Sequence, residues 1–215
     1  MRGIRKTIGT SSILYIIDRT RIRGNNLARP KSDDKRNAII SAATQIFAER
    51  GLGAPTSAIS ALAGIAEGTL FTYFKTKDDL VNALYREIKQ DLADAMMSGF
   101  PRKKSVRSRL QHVWNCYTTW GISHPQQRKV LTQLQLSSIL TTQSREAGSA
   151  PFAEIETLGE DAIEQGILQN IPMAFVAATL DNSAQTTMNF MASNPRESDW
   201  YRDLGFDMFW KSVKR

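Results

Sequence analysis

The residues whose types and spacing point to chemistry lie between Thr56 and Lys77, in the stretch TSAISALAGIAEGTLFTYFKTK. It reads as two short helices joined by a tight turn at Gly64, the size and order of a helix-turn-helix. In that arrangement the first helix crosses a duplex backbone, Gly64 and the small Ala63 let the helices pack closely, and the second helix puts its N-terminal residues into the major groove. Glu67, Gly68, Thr69 and Thr72 then lie near base edges, with Leu70 and Phe74 turned inward. Glu67 fits two roles, acceptor for a cytosine amino group or negative partner of its own helix N-terminus. Phe71 likewise fits either contact with a thymine methyl or core packing.

The elements that must hold this unit are legible on both sides of it. Asp33 and Asp34 suit a helix start, Ser32 can cap it, and Ile39, Ala43, Ile46, Phe47 and Arg50 follow a 3.6-residue period that Gly51 stops. A second helix opens with Thr56 as N-cap after Pro55 and is expected to bury Ile59, Leu62 and Ala63; a third runs from about Glu67 to Phe74. Thr76 caps a fourth through Leu80, Leu84 and Ile88, with Asp79 standing in for the usual Glu of a capping box. Beyond Pro101 the pattern stays helical. Ser105 caps a fifth helix broken at His124-Pro125, a sixth covers about 126–141, and a seventh carries Phe152, Ile155, Leu158 and Ala162. Pro172 opens a helix whose Met173, Val176, Leu180, Ala184, Met188 and Met191 recur at spacings of 3 or 4. Asn194, Pro195 and Glu197 open the last, which carries Trp200, Tyr201, Leu204, Phe206, Met208, Phe209 and Trp210. A terminal helix apolar on most sides is either deeply buried or an oligomer interface.

Composition bounds the class. The 215 residues are 41% hydrophobic and 23% charged, which suits a globular core, and no apolar run approaches the roughly 18 residues of a membrane span. A single Cys116 excludes an intrachain disulfide, consistent with a cytoplasmic protein. The net charge of +7 is unevenly placed. Residues 1–26 hold six basic groups against one acidic, residues 27–89 nine against seven, residues 90–150 eight against three, and residues 151–215 five against ten. Residues 1–28 are expected to be a basic tail without a fold of its own, or to precede the natural start of translation. Arg29, Lys31, Lys35 and Arg36 are placed to reach phosphate or minor groove.

The spacing Ile39-x3-Ala43-x2-Ile46-Phe47-Ala48-Glu49-x-Gly51, followed by Thr56-x2-Ile59 and by Ala63-Gly64-Ile65-Ala66-x-Gly68-Thr69-Leu70-Phe71-x-Tyr73-Phe74-x2-Lys77-x2-Leu80, resembles the TetR family of one-component bacterial repressors. The resemblance extends in length and helix order over residues 28–215. It implies phosphate contacts from Thr56, Tyr73 and Lys77 and base or sugar contacts from Glu67, Gly68, Thr69, Phe71 and Thr72, with Ser57 completing the DNA-binding set. Two positions depart from the family pattern: Phe71 replaces a Tyr commonly found there, and Glu67 brings a negative charge to a negative groove. In the family the helices after the DNA-binding domain form a ligand pocket, and the last two make a dimer interface.

The expected architecture is therefore all-α, with about nine helices. A three-helix helix-turn-helix domain occupies residues 29–78, and a larger helical ligand-sensing and dimerisation domain residues 79–215. The expected pocket wall is Met97, Phe100, Trp114, Tyr117, Trp120 and Phe152, poor in charge and so suited to a largely apolar effector. The expected dimer interface comprises Met173, Val176, Leu180, Ala184, Met188, Met191, Trp200, Leu204, Phe206 and Trp210. Partners are double-stranded DNA carrying a near-palindromic operator, a second copy of the chain and a small-molecule effector, with no membrane. His112 and Cys116 stand one helical turn apart, but with one Cys and two His in the chain no metal site, cofactor or redox thiol is expected. Arg102, Lys103, Lys104, Arg107 and Arg109 read as a solvated helix start. No phosphate loop or nucleophile motif supports an enzyme. A helical interaction protein, or a regulator without an effector pocket, is the alternative.

Overall fold

The computed structural model describes residues 31–135 and 137–215; the expected tail at 1–28 and Arg29 lie outside the described residues. Every regular element among them is helical. In chain order these are α1 (Lys31–Arg50), α2 (Thr56–Leu62), α3 (Glu67–Tyr73), α4 (Lys77–Met97), α5 (Val106–Ser123) and α6 (Pro125–Gln135), followed by α7 (Thr142–Ser149), α8 (Ala153–Glu164), α9 (Met173–Ser193) and α10 (Ser198–Val213). The all-α architecture expected from periodicity is the one observed. The sixth helix stops at Gln135, however, and Thr141 opens the short α7 by accepting a hydrogen bond from the Ser144 N–H at 3.1 Å. Among the described residues no helix is long and apolar enough to cross a membrane.

Side chains define several of the helix ends. Thr76 Oγ1 accepts from the Asp79 N–H at 3.0 Å while Asp79 Oδ2 accepts from the Thr76 N–H at 3.0 Å, the reciprocal capping box expected there. Ser105 Oγ likewise accepts from the Ser108 N–H at 3.2 Å. Gly51 and Gly64 end α1 and α2 with φ of 80° and 67°, a left-handed conformation in which a Cβ would be strained. Two expected caps are made differently. Thr56 is already the first residue of α2, behind Pro55, and its side chain makes no cap. Asn194 donates instead to Phe190 O at 3.0 Å, and a 3-10 turn at Pro195–Glu197 precedes α10.

The first four helices share one apolar interior with the rest of the chain. Ile39, Phe47, Ile59, Leu70, Leu80 and Leu84 are fully buried between α1 and α4. Leu62, expected inside, is 46% exposed at the last residue of α2. Asn82, buried on α4, donates to Asp78 O at 2.8 Å and to Ile139 O at 3.1 Å and accepts from the Thr141 N–H at 3.0 Å, pinning the segment before α7. Gln133 on α6 donates to Phe47 O at 3.1 Å, joining α6 to the end of α1. The boundary expected at residue 78 thus falls within the first turn of α4, which continues unbroken into the second half.

Helices α5, α9 and α10 cross closely. Trp114 is fully buried, stacks on Phe209 at 5.9 Å and donates its indole N–H to Arg202 O at 2.9 Å. At the crossing a Cβ on Gly205 would collide with Thr187 Oγ1 and lie 2.8 Å from Trp114 Cζ2. Neither obstacle is the free end of a flexible chain. Gly205→Ala is accordingly expected to lower the unfolding free energy by about 1 to 2 kcal/mol, an overpacking cost of that order outweighing the better helix propensity of Ala. Urea unfolding measures it, and an unchanged or raised midpoint would show slack at this crossing.

Candidate nucleic-acid interface and effector cavity

Helices α2 and α3 are short and owe their placement to burial rather than propensity. Ile59 on α2 and Leu70 on α3 are fully buried and Phe74 nearly so, which holds both helices on α1 and α4. Outward from these anchors, α3 presents Glu67, Gly68, Phe71 and Thr72 to solvent, with Thr69 and Tyr73 half-buried. Phe71 is 41% exposed, which excludes the core-packing role and leaves an apolar ring on the outer face. Thr72 donates its hydroxyl to Gly68 O within α3 at 3.1 Å.

At the head of the two helices Thr56 Oγ1 donates to Glu67 Oε1 at 2.6 Å. This bond joins a residue expected at phosphate to one expected at a base, and it ties the start of α2 to the start of α3, where Ala66 provides no side-chain cap. One Glu67 oxygen is thereby occupied. Ser57 is exposed beside Thr56. Lys77, on the first turn of α4, lies with Nζ over the Phe47 ring, 5.8 Å from its centroid, a cation held against an aromatic face of the same unit. Lys35 is exposed, whereas Arg36 pairs with Glu87 and lies over Phe74. In the basic cluster after α4, Arg102 binds Glu154 through two bonds at 2.7 and 2.8 Å and Arg107 pairs with Asp207 at 2.7 Å.

A cavity of about 480 Å³ opens among α4, α5, α8, α9 and α10, within the usual size of small-molecule sites. Of the six residues expected to wall a pocket, Tyr117 and Phe152 line it. The other four have different partners. Trp114 is packed on α10, Trp120 donates to Asp91 Oδ2 at 2.7 Å and stacks on His124, Phe100 meets His112 edge-on, and Met97 packs on the core. Their apolar spacing marked a buried helix face, but not which neighbour covers it. Most of the cavity wall is apolar, including Leu92, Val113, Ile155, Val176 and Phe209, yet Lys89, Glu156 and Asp181 also line it. The expected scarcity of charge does not hold.

These polar groups form a connected set. Asp181 accepts a very short bond from the Tyr117 hydroxyl on Oδ1 and a 3.0 Å bond from Gln135 Nε2 on Oδ2, while Gln185 donates to the Tyr117 oxygen at 3.0 Å. Burial, reinforced by the Asp181 charge and its hydrogen bond, pushes the Tyr117 pKa far up, so the phenol stays a donor. Burial pulls the Lys89 ammonium down, opposed by Asp181 and Glu156. Neither Lys89 nor Asp181 was singled out from the sequence. The available signal was a charged residue on an apolar stripe: Lys89 lies four residues after Tyr85 and three before Leu92, and Asp181 three before Ala184. His112 Nε2 lies 3.0 Å from Met96 O and 3.5 Å from Cys116 Sγ, whose pKa burial raises, away from a reactive thiolate.

The expected dimer face divides in two. Val176, Ala184, Met188, Met191 and Phe206 are buried inside the chain against α5 and α10, and Met173, Leu180 and Trp210 pack half-buried on the same core. A periodic apolar stripe on a long helix is satisfied first by its own subunit. Trp200 and Leu204 point outward with Phe175, Phe190 and Met208, Trp200 being 58% and Met208 64% exposed. That outer set makes an apolar face on α9 and α10.

Residues 39–84 match the family described as bacterial regulatory proteins, tetR family. This helix-turn-helix is a TetR-family DNA-binding domain. The chain is also similar to the HTH-type transcriptional regulator YhgD of Bacillus subtilis (strain 168), 32% identical over 84 residues that make up 37% of this chain and 44% of that protein. It spans about half the length of the curated relatives it matches. A TetR family transcription regulator from Marinobacter aquaeolei VT8 superposes with a TM-score of 0.77 at 20% identity, covering 86% of this chain and 98% of the other. The regulator FadR from Bacillus subtilis, in complex with stearoyl-CoA, superposes at 0.62 and 19% identity, covering 80% and 96%. At these identities the likeness is one of fold, and the TetR-type body thus extends through α10.

Glu67 sets a negative charge on the outer face of this TetR-family domain, close to where phosphates would run. Glu67→Gln is expected to raise affinity for random-sequence duplex about fivefold at moderate salt, since one such charge contact in a watery setting is worth about 1 kcal/mol. Fluorescence anisotropy against a random 30-mer duplex measures it; an unchanged or lower affinity would place Glu67 away from the backbone.

Proposed function

We propose that this chain is a DNA-binding transcription regulator, a repressor, that acts as a homodimer on a near-palindromic operator and is released by a small-molecule effector. The observation that carries the DNA-binding part is the outer face of α3, where Glu67, Gly68, Thr69, Phe71 and Thr72 project from a helix anchored by Leu70 and Phe74. Thr56, Ser57, Tyr73 and Lys77 flank it at positions suited to phosphate. Phe71 offers an apolar surface to a thymine methyl, and the second Glu67 oxygen remains for a cytosine amino group.

The exposed face of Trp200, Leu204, Met208, Phe175 and Phe190 supports self-association through α9 and α10. A two-fold dimer would hold two copies of α3 about 34 to 36 Å apart, or a multiple of that, to read two half-sites. The cavity supports an effector with a mainly apolar body: an open space walled by α4 favours a ligand-responsive regulator over one with a closed core. A ligand that binds only one arrangement of the two halves shifts the population toward it and weakens DNA binding reciprocally. The fold neighbour that holds stearoyl-CoA supports the same reading of this space.

Two measurements test the proposal. Lys77→Ala should weaken binding to all duplex sequences alike and lower the slope of log affinity against log salt by about 1; an unchanged slope removes Lys77 from the phosphate contacts. Trp200→Asp with Leu204→Asp should convert the dimer to a folded monomer in light scattering with unchanged helicity, and a persistent dimer would move the interface elsewhere.

A further inference from the structure

The cavity holds a cation with unused hydrogen-bonding capacity. Lys89 Nζ lies 4.1 Å from the Phe152 ring centroid, and an ammonium carries three donors, only one of which a ring face can take. Among the described residues no carboxylate comes within the 4.0 Å of an ion pair with Lys89, and none of the side-chain hydrogen bonds uses it. Asp181, the first of the two carboxylates that act on it electrostatically, is already engaged by the Tyr117 hydroxyl and by Gln135. Glu156, the second, is exposed to solvent. A desolvated cation held over a ring, with donors free toward an open space, is the complement of an anionic acceptor.

We propose that the cavity takes an amphiphile with a single anionic head, a carboxylate in the simplest case, held by Lys89 while its apolar body lies among Leu92, Val113 and Val176. The proposal rests on the reading of this cavity as the effector site and adds the chemical class of the effector and the residue that selects it. Phe152 keeps the ammonium in place before the ligand arrives. Asp181, held by Tyr117 and Gln135, stands outside ion-pair distance of it. Asp181 and Glu156 make a second negative charge on the ligand unfavourable, which sets the limit of one.

The test titrates the full-length protein in a calorimeter with dodecanoate, dodecan-1-ol and dodecyltrimethylammonium, which share a tail and differ in head charge. Dodecanoate is expected to bind with one ligand per chain and at least tenfold more tightly than the other two. Lys89→Met keeps the length of the stem and removes the charge; it should lose at least tenfold for dodecanoate, leave dodecan-1-ol unchanged and retain binding to duplex DNA. Lys89→Arg should keep the preference for the anion. Equal affinity for the three amphiphiles, a preference for the cation, or a preference for dodecanoate that survives in Lys89→Met would overturn the proposal while leaving the cavity as an effector site. Failure of all three to bind would overturn this proposal. Should Lys89→Met not fold, the ranking of head groups on the unaltered protein still decides.

Discussion

Helix α4 belongs to two parts of the molecule at once, and most of the structure is arranged around that constraint. Twenty-one residues make a rod about 31 Å long. Its first turn is locked by the reciprocal Thr76–Asp79 cap beside α3, its next turns bury Leu80, Leu84 and Ile88 behind the helix-turn-helix, and its later turns carry Lys89 and Leu92 to the cavity. Asn82 fastens the same rod to the segment before α7. The two halves cannot move independently while those side chains stay buried, because a packed helix transmits displacement rather than absorbing it. Gln133 adds a second link, from α6 to the end of α1.

DNA reading in this domain rests on placement more than on charge. The segment 27–89 has only two more basic than acidic groups, and Arg36 is already paired with Glu87. What remains is a small set on the outer side of α3 and at the first turn of α4. The Thr56–Glu67 bond organises that set internally: it uses one donor and one acceptor that would otherwise both face a duplex. Under the proposed function, Glu67 is thus oriented before any DNA arrives, and its negative charge would penalise indiscriminate contact with phosphate. Low net charge and a fixed acidic group both favour discrimination over raw affinity.

The cavity follows a different logic. Its apolar walls come from five helices, so it is a product of how they cross and not of any local motif. Within it the charges are not mutually neutralised by contact. Tyr117 and Gln135 satisfy Asp181, and burial leaves Lys89 with an aromatic face as its neighbour. Val113 of α5, Val176 of α9 and Phe209 of α10 line the space on one side, and Trp200, Leu204 and Met208 with Phe175 and Phe190 stay exposed on the outer side of α9 and α10.

Local chemistry was legible in the sequence because it depends on neighbours a few residues apart. The Thr76–Asp79 capping box, the Ser105 cap, the turns at Gly51 and Gly64 and the inward placement of Leu70 and Phe74 all follow from spacing along one helix or one turn. So did the all-helical class and the helix-turn-helix. Tertiary structure decided what each apolar stripe meets. Periodicity shows that Met188 and Trp114 face something apolar, and only the crossing of α5, α9 and α10 shows that the neighbour lies within the same chain. The same holds for Thr56 and Glu67, eleven residues apart and joined by a bond that needs both helices in place. It holds again for Lys89, Phe152 and Asp181, which come from three helical segments. Their shared environment is a property of the packed chain, since the energy of an ion or a ring depends on what surrounds it in space and not on what precedes it in sequence.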